Sequence, residues 1–298
     1  MKPHNPFTGL GVALVTPFTP EGTVDYTTLR RLIEAQISGG IDFLCVLGTT
    51  AETPCLTAGE KHDITRFAVE AVRGRVPILL GAGGNNTQAV IDGIRHADLT
   101  GIDGLLIVTP YYNKPSAEGL YQHFKTVADH TTLPIVLYNV PGRTGVNLTA
   151  DTALRLARDV ENIVAVKEAS GNLSQIEAII SGAPKGFDVL SGDDAITLEL
   201  IGIGARGVIS VVGNAYPAEF GRMVHTALEG RHDEALSVHR SFRELYHFMS
   251  VDGNPSGIKT FLACRGDIAC RLRLPLVPAT DATISCMNEW LKKGFEEA

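Results

Sequence analysis

The sequence is short of several things at once. Only 6% of its 298 residues are aromatic, with a single tryptophan, and there are five cysteines. These are Cys45, Cys55, Cys264, Cys270 and Cys286, an odd count with no Cys-x-x-Cys pair. That argues against a disulfide framework or a zinc site and for a reducing cytoplasm. Apolar runs are brief, as in Gly104–Val108 and Gly207–Val212, far below the roughly 18–20 residues of a membrane span. The opening Met1-Lys-Pro-His-Asn-Pro has no apolar h-region of a secretory signal. Positive charge is in deficit: 26 Lys and Arg stand against 33 Asp and Glu, a formal net charge of −7. With no dense basic cluster, a nucleic-acid partner is not expected. The 31 Gly and 15 Pro follow no triplet period, which excludes collagen.

What remains is the balance of a globular protein with a large core, 44% hydrophobic and 20% charged. The first 230 residues carry one rhythm: a short β-branched run, a polar or Gly-rich ending, then an amphipathic helical stretch. The runs are Gly11–Thr16, Asp42–Leu47, Pro77–Gly81, Gly104–Thr109, Pro134–Asn139, Ile163–Glu168, Phe187–Ser191 and Gly207–Val212. Their starts lie about 20–35 residues apart, room for one crossover helix each. Helices are expected over Tyr26–Ser38, stopped by Gly39-Gly40, over Thr57–Val72 with a Thr57/Glu60 capping box, and over Ser116–Asp129. Eight apolar strands covered by helices favour a closed (β/α)8 barrel over a doubly wound sheet. We therefore expect a barrel over residues 1–230 carrying the active site. A C-terminal helical extension should follow over 231–298, with helices at His232–Met249, after Pro255, and at Thr280–Glu297.

In such barrels the chemistry sits at the C-terminal strand ends. Lys167 follows Ile163-Val-Ala-Val and should share a face with Ile163 and Ala165. Apolar surroundings disfavour an ammonium, and a neutral amine attacks ketones to form a Schiff base. The bland alternative is a structural lysine paired with Glu168 or another nearby carboxylate. Tyr138 ends the preceding strand, close enough to move protons at a group held by Lys167, unless it is a core tyrosine. Thr49 and Thr50 offer hydroxyls and backbone N–H groups, or are a plain Thr-rich turn. Arg143, after Pro141-Gly142, is a candidate bidentate carboxylate receptor, or a solvated loop residue. Gly81-Ala-Gly-Gly-Asn-Asn is a weak dinucleotide-loop match, because Asn86 takes the third glycine position. His225, His232 and His239 recur every seven residues, but no carboxylate or cysteine completes a metal site. Cys45 reads as a small buried hydrophobe.

The strand endings Gly48-Thr-Thr-Ala-Glu, Thr109-Pro-Tyr-Tyr-Asn-Lys-Pro, Tyr138-Asn-Val-Pro-Gly-Arg-Thr, Val166-Lys-Glu-Ala-Ser-Gly and Leu190-Ser-Gly-Asp-Asp occur in an informative order. Together they resemble the dihydrodipicolinate synthase family, within the pyruvate-dependent Schiff-base superfamily that includes N-acetylneuraminate lyase. Arg143 is what resembles the synthase rather than the sialic acid lyase. Departures are Ala51, where many members have Gly, and a variant stretch Gly253-Asn-Pro-Ser-Gly-Ile-Lys.

The resemblance implies condensation of pyruvate with L-aspartate 4-semialdehyde through a Lys167 Schiff base. The product would be 4-hydroxy-tetrahydrodipicolinate, in diaminopimelate and lysine biosynthesis. It implies that Tyr138 is the proton donor and acceptor, that Thr50 and Tyr112 complete a relay with it, and that Thr49 lies beside them. Thr50 and the backbone of Ile209 would hold pyruvate, and Arg143 the semialdehyde carboxylate. No metal or organic cofactor is implied. A cytoplasmic homo-oligomer is, a tetramer built from tight dimers in which Tyr112 reaches the neighbouring site. Weak feedback by L-lysine is also implied, since Ala58, Lys61 and Ala89 replace two histidines and a glutamate of lysine-sensitive relatives, while Asn85 and Tyr111 are kept. Rival readings are a Schiff-base lyase or aldolase acting on a sugar acid, a non-catalytic sensor on a degenerate barrel, and a dinucleotide oxidoreductase using Gly81–Gly84.

Overall fold

The computed structural model describes residues 4–295. The expected eight strands are all present: β1 (Gly9–Ala13), β2 (Phe43–Val46), β3 (Ile78–Gly81), β4 (Gly104–Val108), β5 (Ile135–Asn139), β6 (Ile163–Glu168), β7 (Asp188–Ser191) and β8 (Gly207–Ser210). All pairings are parallel, in sequence order, and β8 returns to β1, closing the barrel. The covering helices are α1 (Tyr26–Ser38), α2 (Ala58–Val72), α3 (Thr87–His96), α4 (Ala117–Ala128), a single turn α5 (Pro141–Thr144), α6 (Ala150–Asp159), α7 (Leu173–Gly182), α8 (Thr197–Gly202) and α9 (Pro217–Leu228). Beyond them lie α10 (His232–Ser241), α11 (Arg243–Val251), α12 (Ser256–Cys264) and α13 (Asp281–Lys293). Among the described residues no helix is long and apolar enough to cross a membrane.

Local chemistry accounts for the helix starts. Thr57 and Glu60 form the reciprocal capping box of α2, and Ser116, Asn86 and Thr280 cap α4, α3 and α13 through their side chains. Several boundaries differ from the sequence reading, the end of β1 at Ala13 instead of Thr16 among them. Strand β8 ends at Ser210, not Val212, because the N–H groups of Val211 and Val212 go to the Asp194 carboxylate, at 2.9 and 2.8 Å, rather than to a neighbouring strand. Strand β1 starts two residues early, at Gly9, which pairs with Gly207. A Cβ on Gly207 would lie 2.1 Å from the Gly9 oxygen, so this seam closes only with glycine. The long helix expected over His232–Met249 is broken at Phe242, which is fully buried and turns its ring onto Phe220 at 5.3 Å. The last helix ends at Lys293, before Gly294 at φ +80°. The expected helical residues Glu296 and Glu297 lie outside the described range.

Two apolar layers hold the barrel. The larger lies between strands and helices, built from Leu10, Val12, Leu44, Leu105, Leu137 and their neighbours. The smaller fills the interior, with Phe7, Phe43, Cys45, Leu79, Leu106, Val136, Ala165 and Ile209. Phe7 and Phe43 meet edge-to-face at 5.4 Å and plug the N-terminal end. The opposite end is left to polar side chains.

Candidate active site

Lys167 lies one residue from the end of β6, between Tyr138 on β5 and Leu190 on β7. It is 5% exposed. Its face is the interior one, as alternation predicts, and it shares that face with Ala165 but not with Ile163. A register slip between Ile135 and Val136 admits an extra residue, Val164, so Ile163 turns into the outer layer while Val164 and Ala165 point inward. The structural reading in which Lys167 pairs with Glu168 does not hold. Glu168 faces the other way, where it accepts hydrogen bonds from Asn139 at 2.5 Å, Ser170 at 3.0 Å and Gln175 at 3.3 Å. Burial raises the Glu168 pKa, and those donors partly offset it. Among the described residues no carboxylate lies within ion-pair distance of Lys167. Its Nζ sits 4.5 Å from the Tyr138 ring centroid, and Cys45, buried as expected, has its thiol pushed up to about 11 by desolvation.

Tyr138 is in register with Lys167 across β5 and β6. Both open into a cavity of about 540 Å³ that Thr49, Thr50 and Arg143 also line. Thr49 and Thr50 form a single 3-10 turn after β2. Leu47 and Glu52 bracket that turn at φ +56° and +55°, left-handed values that are costly for side-chain-bearing residues unless the surroundings impose them. They do: Thr53 bonds the Gly48 oxygen at 2.8 Å and Thr16 the Ala51 oxygen at 2.9 Å. Glu52 is fully buried against Lys259 at 2.5 Å, its second oxygen taking the Arg273 N–H at 2.8 Å. Lys259 rests 4.1 Å over the Phe18 ring, and burial lowers its pKa against the pull of Glu52. The helical extension thus braces the threonine turn.

Arg143 sits on α5, a formed turn of helix rather than a loose loop, and its side chain is exposed. It donates to the main-chain oxygen of Asn254 at 2.9 Å, while Asn254 Nδ2 donates to Thr50 Oγ1 at 3.0 Å. Ile209, 1% exposed, lies on β8 opposite Gly11. Asp194 also lines the cavity. Desolvation pushes its carboxyl up to about 6 against the two N–H donors on Oδ2, and Oδ1 has no protein partner. Sequence reasoning assigned neither Asn254 nor Asp194 a role. The only signals were the Gly253-Asn-Pro departure and the Leu190-Ser-Gly-Asp-Asp motif.

The chain by itself does not bring Tyr112 to Tyr138: Tyr112 stands 89% exposed at φ +72° beside the half-exposed Tyr111. Ala58, Lys61, Asn85, Ala89 and Tyr111, the residues aligned on the lysine-sensitive relatives, do line one cavity, of about 570 Å³. The glycines of the Gly81–Gly84 loop serve close packing instead of a pyrophosphate. A Cβ on Gly81 would meet the Leu47 oxygen at 2.0 Å and one on Gly83 the Val108 nitrogen at 2.6 Å, and Asn86 caps α3. Of the three spaced histidines, His225 lies on α9 and meets Asp42 at 2.6 Å, while His232 and His239 lie on α10, where His239 meets Tyr246 at 3.0 Å.

One amine nucleophile, one phenol in register beside it, two hydroxyls and a guanidinium around one cavity suit imine chemistry on a substrate with a carboxylate. Comparisons with known proteins agree. The family model described as "Dihydrodipicolinate synthetase family" matches residues 6–293. A 4-hydroxy-tetrahydrodipicolinate synthase of Phocaeicola vulgatus is 56% identical over 285 residues, 96% of each chain. The crystal structure of dihydrodipicolinate synthase from Aquifex aeolicus superposes with a TM-score of 0.93 at 42% identity, covering 96% of this chain and 98% of that one. The enzyme of the same name from Thermotoga maritima superposes at 0.94 with 41% identity, covering 97% and 99%.

Proposed function

The chain belongs to the dihydrodipicolinate synthetase family, and from that premise we propose how its residues condense pyruvate with L-aspartate 4-semialdehyde to 4-hydroxy-tetrahydrodipicolinate. It is an enzyme, a lyase of that family. The observation that carries the reading is the register pair of Tyr138 and Lys167 at the rim of one cavity shared with Arg143.

The Lys167 amine attacks the pyruvate ketone and water leaves, giving a protonated imine. That imine draws electrons from the adjacent methyl group, which loses a proton by way of the Tyr138 hydroxyl and becomes an enamine. Tyr138 hands the proton on through Thr50, with Thr49 beside it, and through Tyr112 of a second subunit. Thr50 and the Ile209 backbone hold the pyruvate carboxylate. Arg143 takes the carboxylate of the semialdehyde, whose aldehyde carbon is attacked by the enamine. The new C–C bond leaves an alkoxide that regains a proton as the 4-hydroxyl. The substrate's own amine then attacks the imine carbon, closes the ring and releases Lys167. One lysine serves both substrates in turn, which predicts ping-pong kinetics. This chemistry proceeds without metal or organic cofactor, in the cytoplasm. The protein assembles as tight dimers paired into a tetramer, with the barrel (1–230) carrying the site and the extension (231–298) bracing it.

Trapping tests the reading. Incubation with pyruvate and borohydride, followed by peptide mass spectrometry, is expected to place the reduced adduct on Lys167. An adduct on another lysine, or none, would overturn it.

A further inference from the structure

Asn254 stands where the extension meets the barrel mouth, and the mechanism above gives it no part. It lines the cavity of Lys167 and Tyr138. Through one residue, three distant parts of the chain meet: its Nδ2 reaches Thr50 Oγ1, its main-chain oxygen takes Arg143, and its Oδ1 is buried without a protein partner. A side chain kept for packing alone would not leave a buried acceptor empty.

The direction of the Thr50 bond decides what Asn254 does. A threonine hydroxyl has one hydrogen and two lone pairs. Thr50 is 1% exposed, so solvent does not orient it. The amide N–H occupies a lone pair of Oγ1, which leaves the hydroxyl hydrogen free for another acceptor. A carboxylate is an acceptor only, and a hydroxyl already receiving a hydrogen bond is the better donor to it. An acceptor at position 254 would instead capture that hydrogen and turn it away from the cavity.

We propose that Asn254 is a positioning residue that aims the Thr50 hydroxyl hydrogen at the carboxylate of the first substrate, while its main-chain oxygen separately anchors the guanidinium that receives the second. The proposal rests on the assignment of Thr50 to pyruvate. It separates the two functions of residue 254: a side-chain substitution removes the first and leaves the second in place.

Steady-state kinetics with each substrate varied tests this. Asn254→Ala is expected to raise KM for pyruvate about 5–30-fold, the size of one lost hydrogen bond. Because Thr50 also passes the proton, kcat should fall as well, whereas KM for the semialdehyde should change by less than about threefold. Asn254→Asp keeps the shape but presents an acceptor and a negative charge. Its KM for pyruvate should exceed that of the Ala variant by about tenfold, and the gap should narrow as pH falls and the new carboxyl protonates. Thr50→Val separates the two levels. If it leaves KM for pyruvate unchanged, the assignment of Thr50 is wrong and the proposal falls with it. If it raises KM, the double variant with Asn254→Ala should match Thr50→Val alone. A full additive loss in the double variant, Asp behaving like Ala, or equal changes in both KM values would overturn the role of Asn254 while leaving Thr50 in place.

Discussion

The ion pair between Glu52 and Lys259 offers a sharp quantitative test, because both side chains are fully buried and one of them borders the threonine turn. Consider Lys259→Met. Methionine fills most of the volume, so the cavity term is small. The substitution removes the partner at 2.5 Å and the ammonium over Phe18, and leaves Glu52 with only the Arg273 N–H at 2.8 Å. Stranding one member of a buried pair costs about 3–5 kcal/mol. Removing both charges is different. Glu52→Gln with Lys259→Met leaves no buried charge, and the Gln oxygen still accepts from Arg273. That pair of changes should return to within about 1–2 kcal/mol of the wild type. The assay is urea unfolding at one fixed protein concentration, since subunit association contributes to stability. The activity of the single variant should fall as well, because Glu52 ends the segment that holds Thr49 and Thr50. A single variant within about 1 kcal/mol of wild type, or a double variant losing the sum of both single losses, would refute the reasoning.

Four further outcomes follow from the geometry. Arg143→Ala should weaken the semialdehyde step by about 1.5–3 kcal/mol, a lost charge-assisted pair, with little change in KM for pyruvate; equal losses would show that Arg143 is not the selective receptor. Tyr112→Phe and Lys167→Ala, each inactive alone, should regain activity when their subunits are mixed, and exchange without recovery would exclude a role for Tyr112 across subunits. Asp194 binds its proton more tightly folded than unfolded, so its contribution is full below about pH 4 and lost as pH rises through about 6. The difference is about 3 kcal/mol, and urea midpoints of wild type should fall relative to Asp194→Asn over that interval; parallel curves would contradict the assigned cause. L-lysine should inhibit weakly, since Ala58, Lys61 and Ala89 line the cavity where charged acceptors would be required; sub-millimolar inhibition, roughly −4 kcal/mol or tighter, would show that these residues do not disable it.

The chain's local chemistry determined a good deal without help from the fold. Alternating and near-continuous apolar runs are short-range signals, so all eight strands and the parallel barrel were legible, as were the Thr57 box and the Ser116 cap. Lys167 and Tyr138 could be placed side by side because neighbouring strands in a barrel meet one βα unit apart. The rest needed closure. Whether Ile163 faces in or out depends on a register slip against β5, which no local pattern reports. Glu168 was a plausible partner for Lys167 in sequence, but successive residues on a strand point to opposite faces, and only the surrounding donors show where it went. Asn254 reaches Thr50, and Lys259 reaches Glu52, across sequence separations of 204 and 207 residues. Propensity and periodicity act over a few residues, whereas such partners are chosen by which surfaces the closed barrel and its extension bring together. The raised carboxyl of Asp194 likewise comes from burial that exists only after folding. Sequence decides which groups the chain carries and how each segment is shaped; tertiary packing decides which of them meet and which lose their water.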